Sequence, residues 1–123
     1  MADASIGLVL DATDPDAIAP FWAAALGMTR QGAVENYVLL TSEDGPVRQL
    51  LLQRVAEPKT TKNRMHLDIE TADVDGEVAR LEALGARRLE PEARREHGSR
   101  WVIMADPEGN ELCVCDGGQG PTS

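Results

Sequence analysis

The side chains in this sequence that could do chemistry fall mostly in two short runs. His66 and Asp68 stand two apart in RMHLDI, and Glu111, Cys113 and Cys115 follow the same spacing in NELCVC. In an extended strand, residues i and i+2 point the same way. One face of the first run therefore carries Arg64, His66 and Asp68, and one face of the second carries Glu111, Cys113 and Cys115. A histidine oriented by a carboxylate is a general base near neutral pH, which makes His66 with Asp68 the catalytic candidates. Imidazole, carboxylate and thiolate together also suit zinc. Gln49 and Gln53 share a face of RQLLLQ with Leu51 and offer neutral amides to a ligand or to a wet cavity. The cysteines have a structural reading too, because buried unpaired cysteine acts as a small apolar filler. Trp101 and Tyr37, two of the four aromatic residues, are candidates for the wall of a site for a flat ligand. His97, in the charged segment 90–97, is expected on a solvated loop.

The elements that position these groups repeat. SIGLVLDA (5–12) alternates as a strand, Asp14 and Pro15 open a helix, and the stripe Ile18, Phe21, Trp22, Ala25 and Leu26 ends at Gly27. NYVLLTS (36–42) and RQLLLQRV (48–55) follow as strands around the turn 43–46. RMHLDIE (64–70) then begins a second pass. Its helix starts near Thr71 to Asp73, carries Val74, Val78, Leu81 and Leu84 on one face, and stops at Gly85. SRWVIMA (99–105) and NELCVCD (110–116) close it around the turn 106–109, and short strands are expected after Met28 and after Ala86. Residues 56–63 are the joint, and residues 1–4 and 117–123 are expected to be loose ends. Both helices end in Ala-Leu-Gly, 58 positions apart (83 − 25).

Alternation also assigns faces. Ile6, Leu8 and Leu10, Leu50 and Leu52, Met65, Leu67 and Ile69, and Leu112 and Val114 form apolar faces for the helices to cover. The opposite, mixed faces are left to line a cavity.

At 123 residues the chain is one domain's worth. Its 12 basic and 21 acidic residues give a formal net charge of −9, which disfavours nucleic acid and anionic membranes as partners. The first apolar run, residues 6–10, is only five long, far short of a membrane span. With no targeting segment visible, the cytoplasm is the expected location.

The order of elements, with the phrases DPDAIAPFWAAALGM, HLDIETADVDGEVARLEALGA and DPEGNELCV, resembles the vicinal oxygen chelate superfamily, closest to its small glyoxalase-like branch. The resemblance implies an α+β fold in a single domain over 1–123. Two βαβββ modules, about 5–56 and 64–116, would form a curved mixed sheet around a cavity. It also implies a homodimer and, in metal-dependent members, one ligand from each of four strands, drawn mostly from His, Glu and Gln. Carried over position by position, the second-module histidine is His66. The first-strand ligand falls on Gly7 or Leu8, the final Glu of DPxGNxxE falls on Cys113, and the remaining position lies near Gln49. His66 and Glu111 are then the candidates to hold a divalent metal, and the usual site is not intact. The expectation is a small-molecule binder of the bleomycin-resistance type, its cavity framed by Gln49, Gln53, Arg64, His66, Asp68, Trp101 and Cys113. The alternative is a metal-dependent or histidine-base enzyme, of lyase, isomerase or dioxygenase-like type.

Overall fold

The computed structural model describes residues 7–116. The expected loose ends at 1–4 and 117–123, and Ile6 of the first strand, lie outside the described residues. The chain divides after Pro58 into two compact units.

In the first unit, β1 (Leu8–Ala12) leads to α1 (Pro15–Leu26), then β2 (Thr29–Val34), β3 (Tyr37–Thr41) and β4 (Gln49–Arg54). The helix starts where the Asp14 carboxylate accepts from the Ala17 amide at 3.3 Å, with Pro15 in its first turn, where no amide is missed. Gly27 ends it at φ 65°, a left-handed position that suits glycine. Pro20 is tolerated inside the helix, although its ring removes one rung of the backbone ladder. The sheet runs β1-β4-β3-β2, with β1 parallel to β4 and the other neighbours antiparallel. Ile18, Phe21 and Trp22 of α1 are buried with Val38, Leu40, Leu50 and Leu52 of the strands. Phe21 and Trp22 meet edge to face, centroids 5.1 Å apart.

The second unit repeats the plan. β5 (Leu67–Glu70) leads to α2 (Val74–Leu84), β6 (Arg87–Arg88), β7 (Arg94–Glu96), β8 (Ser99–Ala105) and β9 (Glu111–Cys115). Asp73 caps α2 by accepting from the Gly76 amide at 3.0 Å, and Gly85 ends it. β5 lies parallel to β9, which pairs antiparallel with β8, in the order β5-β9-β8-β6. Val78 and Leu81 of α2 are buried with Val102, Met104, Leu112 and Val114.

Two expectations are corrected. Residues 90–97 are not simply a solvated loop, because Arg94–Glu96 pair with β8 as β7. His97 and Gly98 make a two-residue turn with φ 53° and 79°, the double positive φ of a type I′ hairpin. The second unit therefore has one strand more than βαβββ. Met65 does not join the apolar face; it precedes β5 and is 73% exposed.

The ladders put the units in correspondence. Leu8 opposes Leu50 and Val9 opposes Leu51, just as Leu67 opposes Leu112 and Asp68 opposes Cys113. One strand further, Leu39 matches Ile103 and Tyr37 matches Trp101.

Candidate functional site

β5, β9 and β8 give the second sheet its open face. Leu112, Val114, Val102 and Met104 point into the core, so the alternate residues Cys113, Cys115 and Trp101 take the other side. They line a pocket of about 320 Å³ together with His66, Asp68 and Ser99. Asp68 is placed opposite Cys113 by the parallel ladder. His66 lies two residues before Asp68, at the mouth of β5.

Within the pocket His66 Nε2 lies 3.2 Å from Asp68 Oδ1, with both side chains about half exposed. A proton on Nε2 donated to Asp68 leaves Nδ1 as the acceptor of the ring. Cys113 and Cys115 are buried and neither is in a disulfide. Burial, reinforced by the Asp68 carboxylate, pushes the Cys113 thiol from the usual 9.0 up to about 11. Ser99 Oγ donates to Asp116 at 3.0 Å and closes one end of the strand pair.

Of the framing residues expected from the sequence, His66, Asp68, Trp101 and Cys113 come together. Gln49 and Gln53 lie on β4 of the first unit and are not part of this pocket. Arg64 is exposed ahead of β5 and does not line it either. The sequence reading placed Cys115 on the right face without giving it to the site, and it passed over Ser99. The same alternation that selected Trp101 on β8 also selects Ser99.

Glu111 departs most from expectation as a metal ligand. Its carboxylate receives the Lys62 ammonium at 2.6 Å and the Asn63 amide at 3.4 Å, with Lys59 at 3.9 Å. The Lys62 hydrogen bond, more than any other partner, holds its carboxyl below the usual range. This carboxylate pins residues 59–63 to the start of β9.

The metal-capable atoms that do converge belong to His66, Asp68 and Cys113, all within 4.8 Å of one another. Imidazole, carboxylate and thiolate are donors for an ion of the zinc class. They fit that chemistry better than the oxygen-rich sets of magnesium, calcium or manganese. Among the described residues Glu111 is not a member of that group.

The first unit has an open face of another kind. Val9, Leu51 and Leu39 lie side by side across β1, β4 and β3. A groove of about 350 Å³ runs over Leu51, Leu39, Tyr37 and the β2 residues Gln31 to Val34. Thr41 Oγ1 donates to Gln31 at 3.1 Å, at the bulge between Arg30 and Gly32.

Solved structures with this architecture are distant in sequence. The fosfomycin resistance protein FosX from Listeria monocytogenes superposes with a TM-score of 0.75 at 14% identity, covering 96% of this chain and 94% of that one. A glyoxalase/bleomycin resistance protein/dioxygenase from Nocardioides gives 0.73 at 20% identity, covering 100% and 91%. A glyoxalase/bleomycin resistance protein/dioxygenase family enzyme from Burkholderia phytofirmans PsJN gives 0.69 at 16% identity, covering 88% and 94%. No curated protein sequence matches the chain. Residues 7–115 match the glyoxalase-like domain. With two open mixed sheets of matching topology and that match over nearly all of its length, the chain belongs to the glyoxalase-like domain family of the vicinal oxygen chelate superfamily.

Proposed function

We propose that the protein binds a small organic molecule in the pocket of the second unit, as a sequestering protein of the bleomycin-resistance type. The observation that carries this reading is the pocket itself: an indole wall from Trp101, a hydroxyl from Ser99, two thiols and the His66–Asp68 pair around about 320 Å³. Such a lining combines apolar contact with a few convergent polar groups, the usual make-up of a ligand site. Asp68 brings an anion, and among the described residues no lysine or arginine lines the pocket beside it, which favours neutral or cationic ligands over anionic ones. The thiols of Cys113 and Cys115, neither in a disulfide, support a reducing compartment such as the cytoplasm. The exposed apolar residues of the first sheet, Val9 at 56% and Val34 at 68%, support a homodimer. Among the described residues no helix is long and apolar enough to cross a membrane.

A second reading, a histidine-base enzyme, is favoured by the 3.2 Å contact of His66 with Asp68. One experiment separates the two. A panel of flat neutral and cationic compounds is titrated against the full chain while tryptophan emission is followed, with Trp101→Phe as the control that leaves only the signal of Trp22. Binding should saturate at one ligand per chain, and His66→Ala should weaken it about tenfold, the worth of one charge-assisted hydrogen bond. Ligand consumed at a rate that collapses by orders of magnitude in His66→Ala would establish the enzyme instead. No saturable binding by any compound would overturn both.

A further inference from the structure

We infer that His66, Asp68 and Cys113 form a site for a single zinc-class ion held entirely within the second unit, with a fourth coordination position open to the pocket. The inference rests on the proposed function only for what occupies that fourth position.

Three observations carry it. The donor atoms already lie within 4.8 Å of one another. A tetrahedral zinc with bonds of about 2.0–2.3 Å separates its N, O and S donors by about 3.3–3.6 Å. Closure therefore takes about 1.5 Å at most, within reach of side-chain rotation. Backbone pairing fixes two of the three ligands, because Asp68 and Cys113 are direct partners across β5 and β9. His66 joins them from the position just ahead of β5, lining the same pocket. The chemistry is also discriminating, since a thiolate selects zinc, cobalt or cadmium over magnesium, calcium and manganese. On binding, the Cys113 sulfur–hydrogen bond breaks, a sulfur–metal bond forms and the proton leaves to solvent.

The corresponding positions of the first unit are Gly7, Val9 and Leu51, none of which can ligate. One ion per chain follows. Glu111 takes no part, because Lys62 and Asn63 hold its carboxylate.

The test is a cobalt(II) titration of the full chain, stripped with chelator and kept reduced, followed by displacement with zinc. The expected result is one equivalent, with a thiolate-to-cobalt charge-transfer band in the near ultraviolet and the visible bands of a tetrahedral ion. Cys113→Ser should abolish the charge-transfer band. His66→Ala and Asp68→Asn alter exposed side chains and leave the fold intact; each should weaken binding at least about a hundredfold, since loss of even an outer-shell partner costs 10–100-fold. Glu111→Gln should leave the affinity unchanged. The inference is overturned if no charge-transfer band forms at one equivalent, if the band survives Cys113→Ser, if the His66 and Asp68 variants bind as wild type, or if manganese binds as tightly as zinc. The organic-ligand titration on metal-free protein is independent of this readout, so failure of either reading is seen separately.

Discussion

Gly7, Val9 and Leu51 occupy in the first unit the places that His66, Asp68 and Cys113 occupy in the second. The backbone frame around them is the same: a parallel outer pair, an antiparallel hairpin and a helix capped by an aspartate at one end and a glycine at the other. The apolar faces under the helices are also alike, Leu50 and Leu52 in one unit and Leu112 and Val114 in the other. What differs is the face that no helix covers. Core positions are constrained by packing, and a change there costs stability. Open-face positions are free to exchange an aliphatic strip for a cluster of ionisable groups. Fold and chemistry thus reside on opposite sides of the same strands.

The sharpest way to break this comparison is to move the donors. The triple variant Gly7→His, Val9→Asp, Leu51→Cys should bind a second equivalent of cobalt. A side chain at Gly7 meets no heavy atom within 4 Å of its Cβ, and Val9 is already 56% exposed. Stoichiometry that stays at one would show that the shared frame does not by itself place the ligands.

The helices differ in how much they bury. α1 carries Ile18, Phe21, Trp22 and Leu26 inward, whereas α2 carries Val74, Val78 and Leu81. Trp22→Ala should cost about 3–5 kcal/mol in urea unfolding. Amides of α2 should exchange with deuterium before those of α1. Equal protection of the two helices would contradict the difference in burial.

The hairpin turns offer a third contrast. The Asp106 carboxylate is fully buried and accepts from the Glu108 and Asn110 amides at 2.8 Å and from the Asn110 side chain at 3.0 Å. In the first unit, Ser42 Oγ accepts one amide bond, from Gly45 at 2.7 Å. Asp106→Ala should cost about 3 kcal/mol, and Ser42→Ala about 1 kcal/mol. Thermal unfolding of the two variants side by side checks the ratio.

The smallest effect concerns acid. The hydrogen bond from Arg80 holds the Glu77 carboxyl of α2 below its usual range. A carboxyl lowered by folding stabilises above its unfolded value, and that contribution is lost as pH falls through the folded one. For a surface-type pair this is worth about 0.3–0.5 kcal/mol. Glu77→Gln should flatten the acid limb of the stability curve by that amount below about pH 5. A curve identical to wild type would remove the pair from the account.

Local signals made most of the fold legible. Asp14 with Pro15, Asp73, Gly27 and Gly85 mark helix ends because a cap is made by residues within four positions of it. Alternation in RQLLLQ and NELCVC marks buried and open faces because successive side chains of a strand oppose each other. The hairpin of Arg94–Glu96 escaped, since its charged residues carry no apolar alternation and its His97–Gly98 turn needs backbone angles that composition does not announce. The site was legible only as separate runs.

The sequence by itself determined the two-fold repeat, the helix limits, the apolar faces and the residue types on the open ones, because these depend on neighbours a few positions away. Tertiary structure alone decided that Asp68 meets Cys113 and that Glu111 goes to Lys62 rather than to His66. Those outcomes follow from the register of β5 on β9 and from how residues 59–63 cross the start of β9. Register is a long-range pairing, and a slip by one residue would turn every side chain of β5 to the other face.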